Sequence, residues 1–390
     1  MIIQGIDDGF FNNGRGYPLP DFSGRVFPKA FVSIQYMRLK TQIGNFLLGA
    51  AWSVGLLFIA LTGGCTERRD HPAPAVISGR TMGTTYRVKI ARPPADVSPS
   101  TLQAAIDKAL EQINDAMSTY RTTSEISRFN RSPSTEWFAV SPETAQVVAA
   151  AQQISRESDG AFDVTVGPLV NLWGFGPGAN QRKVPPAEQI DRALANSGFQ
   201  KLSVREAPPA LRKSTGKLVI DLSAIAKGYA VDRIAALLED FSITDFLVEI
   251  GGEILTRGTR ADGSAWTVGI ELPDAGLRLV QDVLALSNSA LATSGNYRNF
   301  FERDGKQYSH TINPRTGSPV THKLASVTVV GDSCMLADGW ATALLVLGPE
   351  QGYAYARQHD IAGLFVSRVA DGFSRRPTPA FTRLFPERRE

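Results

Sequence analysis

Five residues of this 390-residue chain have types and spacings that could act on a phosphate: Asp221, Lys227, His310, Asp338 and Thr342. Lys227 falls in the first turn of an expected helix, where the helix dipole disfavours a cation. The free N–H groups there, with a lysine beside them, suit a phosphate. Asp221 stands just before, at the end of a buried apolar run, a position where α/β units often carry ligand groups. Asp338 and Thr342 are four apart, so on a helix they share one face. One carboxylate and one hydroxyl suit a hard cation such as Mg²⁺, which completes its shell with phosphate and water. His310 directly precedes Thr-Ile-Asn-Pro-Arg-Thr-Gly, which places an ionisable ring at a rigid bend. Each residue also has a bland reading: a solvated lysine, an aspartate capping its own helix with threonine as filler, a structural histidine. Taken singly, the residues leave both readings open.

The elements that must position them follow from periodicity. Leu218–Leu222 reads as a short buried strand running into a helix of about four turns that ends near Phe241, with Ser223 as its N-cap. Ile225, Ile234, Leu237, Leu238 and Phe241 give that helix an apolar face. Upstream, residues 76–90 read as a strand with Gly83 at a bulge or close approach. Pro99 opens a helix with apolar positions at Leu102, Ile106, Leu110, Ile113, Met117 and Tyr120. Residues 118–130 read as a loop and short helix, and Ser141-Pro142 starts another helix with proline at its first position. Residues 160–176 mix small residues with Phe162, Trp173 and Phe175, which fits either a glycine-rich turn among core aromatics or a flat apolar surface for a ligand.

Residues 177–189 read as an exposed loop, followed by a helix to Asn196 capped by Gly198. Phe246–Leu255 reads as a strand broken at Gly251-Gly252, with Trp266–Leu272 as its hairpin neighbour across Asp262-Gly263. Residues 287–301 approach a second hairpin turning at Asp304-Gly305. Val327–Val330 is a strand, and the helix after it carries Met335, Asp338 and Thr342. One more helix, the strand Ile361–Val366 and a polar, arginine-rich tail close the chain.

The first 75 residues have a different character. Met37-Arg38-Leu39-Lys40, an apolar run from Phe46 to Leu61 and Thr62-Gly63-Gly64-Cys65 have the layout of a secretory signal. The apolar run is short for a bilayer span of roughly 20 residues. A cysteine after small residues resembles a bacterial lipobox, with Cys65 lipidated, although Thr62 replaces the usual leucine; a retained N-terminal anchor is the alternative. The expected organisation is an upstream extension over 1–36, a signal peptide over 37–64, a tether over 65–75 and a folded domain over 76–390. Cys65 and Cys334 are the only cysteines, so no disulfide framework is expected. Five Lys/Arg and three Asp/Glu precede Cys65, which leaves a net charge near +1 for the rest of the +3 total. With no basic run or stripe, nucleic acid is not an expected partner.

Motif absences narrow the chemistry. The sequence has no Walker-type phosphate loop, no G-x-S-x-G elbow, no zinc spacing among its four histidines and no Rossmann glycine fingerprint after its first strand. What it does contain, in order, is Met82-Gly83-Thr84, Ser118-Thr119-Tyr120 through Ser124-Glu125-Ile126-Ser127, Ala161-Phe162-Asp163-Val164-Thr165, Ile220 through Gly228, His310 through Pro314, and Ala337-Asp338-Gly339 with Thr342. This series resembles the ApbE family of exported FAD:protein FMN transferases and runs from residue 82 to 342.

The resemblance implies an α+β fold of two interleaved lobes, related to the T-fold, with FAD in the cleft between them. It implies Mg²⁺-dependent transfer of the FMN half of FAD to a threonine hydroxyl of a partner flavoprotein, releasing AMP. By the same match, Met82, Tyr120, Ala161, Phe162, Asp163, Asp221, Lys227 and Ile312 would contact FAD. Ala224 and Met335, through backbone oxygens, would hold the metal with Asp338 and Thr342. His310, the only histidine in a shared block, would be the general base, its ordinary pKa near 6.5 suiting that role. Partners of the family are subunits of membrane electron-transfer complexes, and the expected location is the periplasmic side of a bacterial membrane. Two other readings use the same cleft: an FAD pyrophosphatase giving FMN and AMP, and a non-catalytic FAD-binding lipoprotein. A solute-binding transport component is a poorer third, since it leaves Asp338 and Thr342 unexplained.

Overall fold

The strand signal after residue 75 resolves into a hairpin. β1 (Ala75–Thr81) and β2 (Thr84–Ile90) pair antiparallel, with Thr81 opposite Thr84. The two residues between them, Met82 and Gly83, both have positive φ, 49° and 72°, which matches the twist of a two-residue hairpin turn. Gly83 is therefore a turn residue and not a bulge. Gly251 and Gly252, at φ 61° and 106°, make the equivalent turn between β3 (Phe246–Ile250) and β4 (Glu253–Arg257). The computed structural model to which these elements belong describes residues 2–3, 73–177, 182–273 and 280–386. All but residues 2–3 of the expected extension over 1–36, the signal 37–64, Cys65 and most of the tether lie outside the described residues.

Four further strands extend the hairpins: β5 (Ala290–Gly295), β6 (Leu324–Gly331), β7 (Ala362–Val369) and β8 (Gly372–Pro377). They give an eight-stranded sheet in which β1 to β8 lie in chain order and every pairing is antiparallel. Helices are inserted between its strands: α1 (Pro99–Met117), α2 (Glu125–Arg131), α3 (Pro142–Glu157), α4 (Gly167–Leu172), α5 (Ala187–Ala195) and α6 (Ala226–Asp240) between β2 and β3. α7 (Cys334–Gln358) lies between β6 and β7, and α8 (Pro379–Leu384) follows β8. Helices and an antiparallel sheet make this the expected α+β class.

Period-two alternation divides the sheet's side chains between two cores. Val88, Val248, Ile250 and Leu255 pack with α1, α3 and α6. Leu247, Ile254, Leu291 and Leu364 face the other way, against Trp266, Val268 and Leu284 and against Phe381 of α8. Those three come from a smaller antiparallel pair, Trp266–Glu271 with Val280–Leu286, to which Ile2–Ile3 adds two residues. The expected pairing of residues 266–272 with the strand before them does not occur. β4 already has β3 and β5 as neighbours, so its edges are taken.

α1 and α3 start where expected because Ser98 and Ser141 accept hydrogen bonds from the Thr101 and Thr144 amides, with proline next in each case; α1 ends at Met117, so Tyr120, expected on its apolar face, lies beyond the helix. α7 is two helices joined at Gly348, whose φ of 84° and ψ of −176° break the spiral just before Pro349. The polar, arginine-rich tail contributes β8 and α8. Within 218–222, Leu218, Ile220 and Leu222 are buried, but the stretch pairs with no strand among the described residues. Asn130 reaches across instead, donating to the Ile220 carbonyl at 2.8 Å and accepting from its amide at 2.9 Å.

Candidate active site

The starts of α6 and α7 meet, and a carboxylate from each caps the other. The Asp232 carboxylate of α6 accepts from Ser333 Oγ at 2.8 Å and from the Cys334 and Met335 amides at 2.8 and 3.0 Å. In return, Asp338 Oδ2 of α7 accepts from the Gly228 amide at 3.1 Å. Each carboxylate satisfies N–H groups that a helix start leaves unpaired, and each lies at the positive end of a dipole. Gly228 permits this approach: a Cβ there would sit 2.3 Å from the Cys334 carbonyl oxygen. Ser223 is not the N-cap of α6. Its amide and hydroxyl donate to Asp221 Oδ1 at 2.9 and 2.5 Å, and the helix begins after Ile225 with no side-chain cap.

Around this junction lies a cavity of about 540 Å³. It is lined by Met82 of the first turn, Tyr120, Ala161, Phe162, Asp163, Asp221, Ala224, Lys227, His310, Ile312, Asp338 and Thr342. Those residues come from six separate stretches of sequence, and all were expected at a common site. Met335 is the exception. It packs in the core with α6 and does not line the cavity.

The lining side chains are held in different ways. Tyr120 is 68 % exposed, a free ring face of the kind that takes a flat heterocycle. Asp163 is committed to the fold: Oδ1 accepts from the Thr165 amide and hydroxyl at 2.7 and 2.6 Å, and Oδ2 from the Phe199 amide at 2.8 Å. Ser158 holds the two residues before Asp163, accepting from the Ala161 amide at its carbonyl and from the Phe162 amide at Oγ, each at 3.1 Å. Arg315, five residues after His310, donates to the Ser158 and Asp159 carbonyls at 3.2 and 2.7 Å, which ties the histidine loop to the end of α3.

His310 Nδ1 lies 3.2 Å from the Asn299 carbonyl oxygen. A carbonyl only accepts, so Nδ1 carries the hydrogen and Nε2 keeps its lone pair. Burial pushes the imidazole below its ordinary pKa, against the opposing pull of that hydrogen bond, so the ring is neutral at pH 7. A neutral imidazole with one nitrogen fixed and the other open is a competent proton acceptor.

Lys227 is not the free cation that the sequence implied. Its Nζ lies 2.6 Å from Glu253 Oε1, and the glutamate side chain is 3 % exposed. Burial lowers the lysine pKa, but Glu253 and Asp338 outweigh it and hold the ammonium charged. Burial raises both carboxyls, and Lys227 opposes the rise in each. Glu253 has no sequence signal of its own; it follows a Gly-Gly turn and reads as an ordinary strand residue. Thr293, Ser294, Tyr297, Arg298 and Asn299 also line the cavity and were not singled out, since they lie on β5 and the loop after it.

The metal can be tested against these contacts. Ser294 Oγ and Thr342 Oγ1 share a hydrogen bond of 2.8 Å, and among the described residues Asp338 Oδ1 takes none. One carboxylate oxygen and neighbouring hydroxyls form an oxygen-only donor set that fits Mg²⁺. Among the described residues, no group of three or more His, Cys, Asp or Glu could hold a metal. A cation here would therefore complete its shell with water and backbone oxygens, or with phosphate oxygens when nucleotide is bound. With Asp221, Glu253 and Asp338 set against Lys227, a diphosphate also needs added positive charge to enter.

Known proteins place the chain. The ApbE family model matches residues 82–365. An FAD:protein FMN transferase of Vibrio cholerae is 45% identical over 331 residues, covering 85% of this chain and 97% of that protein. One from Salmonella typhimurium is 39% identical, covering 82% and 92%. Among solved structures, the flavin transferase ApbE of Vibrio cholerae superposes with a TM-score of 0.74 at 44% identity, over 80% of this chain and 99% of that one. The apo flavinyl transferase ApbE of Pseudomonas stutzeri also gives 0.74, at 42% identity over 80% and 96%. With the motif blocks gathered round one cavity and matches of this extent, the chain belongs to the ApbE family.

Proposed function

We propose that the chain transfers the FMN half of FAD to a threonine hydroxyl of a partner flavoprotein, releasing AMP. The observation that carries this reading is the cavity itself, where an open aromatic face, Lys227 with the carboxylates around it and a neutral histidine meet. Tyr120, Phe162 and Ile312 offer apolar surface for the ring systems. Lys227 and the start of α6 face the diphosphate. His310 Nε2 takes the proton of the acceptor hydroxyl as its oxygen bonds to the flavin-side phosphorus. The bond from that phosphorus to the bridging oxygen breaks, and AMP leaves with the electron pair. Bound at Asp338 and Thr342, with backbone oxygen from Ala224, Mg²⁺ would neutralise charge developing on the departing phosphate.

The order of the machinery gives the test. Asp338→Ala should abolish covalent labelling of an acceptor protein, read by in-gel flavin fluorescence, while FAD still quenches on binding. Thr342→Ala should be milder, since water can replace a neutral ligand. Full labelling by Asp338→Ala in chelated buffer refutes the metal role.

The same proposal extends to location. The lipobox-like Thr62-Gly63-Gly64-Cys65 supports export and lipid anchoring at Cys65, beside a membrane electron-transfer complex whose subunit is the acceptor. No described helix is long and apolar enough to cross a membrane. Cys65→Ser should shift the protein from the membrane fraction to the soluble one; retention on the membrane points to an uncleaved anchor.

A further inference from the structure

We propose that Glu253 is a positioning residue that holds the Lys227 ammonium away from Asp338 and so keeps Asp338 open to a divalent cation. The proposal rests on reading Asp338 and Thr342 as the cation site. Three contacts carry it. Lys227 Nζ is 2.6 Å from Glu253 Oε1. The next residue, Gly228, donates its amide to Asp338 Oδ2 at 3.1 Å, so the lysine leaves the backbone beside the aspartate. Its stem runs past the turn into β4, where a Cβ on Gly251 would lie 3.5 Å from Lys227 Cδ. That turn is fixed by Glu249 Oε1, which accepts from the Gly252 amide at 2.8 Å.

Glu253 is suited to the task. It is 2 % exposed, and its Oε2 is buried with no hydrogen-bond partner among the described residues. Among those residues the only partner found for its carboxylate is therefore the lysine. The charge of Asp338 also acts on Lys227, as does that of Glu253. A half-buried ammonium on a flexible four-carbon stem must pair with something. With Glu253 neutralised, the carboxylates left to it are Asp338 and Glu249, and Glu249 already holds the Gly252 amide through Oε1. An ammonium and a divalent cation would then compete for the same oxygen. None of this is legible in the motif, where Lys227 reads simply as a phosphate ligand.

The test is Mn²⁺ binding to the purified protein without nucleotide, followed by the electron paramagnetic resonance signal of free Mn²⁺. Asp338→Ala should lose the site. Glu253→Gln, nearly isosteric, should weaken Mn²⁺ at least fivefold with its melting temperature kept. The double variant Lys227→Gln/Glu253→Gln should restore binding to within about twofold of wild type, because the competing ammonium is gone; a merely structural role for Glu253 predicts no such recovery. Weakening of less than fivefold in Glu253→Gln, or a double variant no better than the single one, overturns the positioning role. Unchanged binding by Asp338→Ala removes the cation site itself and the proposal with it.

Discussion

Replacing Gly228 with alanine tests whether α6 and α7 must touch for the site to work. An added Cβ would lie 2.3 Å from the Cys334 carbonyl oxygen, 2.6 Å from its carbon and 2.8 Å from Met335 Cα. All three obstructing atoms are backbone, so no rotamer change relieves them. Ordinary van der Waals contact starts at 3.4 Å, so the helix starts must separate by roughly 1 Å in an interior that is close-packed. Overpacking of this kind costs about 1–3 kcal/mol, and the melting temperature should fall by several degrees. Activity should suffer more. The displacement falls on the Gly228–Asp338 hydrogen bond and on the root of Lys227, and a 1 Å misplacement in a site can cost on the order of 100-fold. Quenched time courses of acceptor flavinylation at saturating FAD, paired with thermal melts, measure both effects. A variant that transfers within threefold of wild type and melts at the same temperature would refute the reasoning.

Two further outcomes follow from individual contacts. Because burial keeps His310 below its ordinary pKa, the transfer rate should be flat above pH 7 and fall only on the acid side of about 6.5; His310→Gln should lose both the rate and that inflection, with FAD affinity largely kept. Lys213 is fully buried and donates to the carbonyls of Phe129, Asn130 and Leu218 at 3.0, 3.2 and 3.2 Å. Lys213→Met should strand those acceptors and lower stability by about 2–4 kcal/mol, read by urea unfolding, while the cavity residues stay in place.

The sequence carried the site further than it carried the sheet. Lys227 and His310 could be singled out because each breaks a local rule: a lysine in a first helical turn and a histidine at a proline bend have local costs that a purely structural position would avoid. Asp221, Asp338 and Thr342 stood out by their place beside expected helix starts, whereas Met82 and Tyr120 were reached only through the family resemblance. Glu253 breaks no local rule, since its meaning lies in a partner 26 positions away, and a buried ion pair between β4 and α6 leaves no periodic trace. Asp232 was missed for the same reason: it sits inside α6 and caps a helix starting a hundred residues later.

Strand pairing was harder still. β5 has the composition of a loop, Ala-Leu-Ala-Thr-Ser-Gly, and is a strand because β4 and β6 flank it. Leu218–Leu222 has the composition of a strand and is none, because the Asn130 side chain takes the backbone groups that a neighbouring strand would. Tertiary context decided both. Helix starts were legible to within a residue where a capping serine preceded proline, and illegible at α6, where a carboxylate from α7 does the capping.

The cavity is proposed to move FMN to a protein hydroxyl and not merely to hold or hydrolyse FAD. The direct measurement is AMP released per acceptor flavinylated, with the protein incubated with FAD and Mg²⁺ in the presence and absence of a threonine-bearing acceptor. One AMP is expected for each flavinylated acceptor and almost none without it. Equal AMP release without acceptor would make the site a pyrophosphatase, and tight FAD binding with no AMP in either case would make it a carrier; either result contradicts the claim.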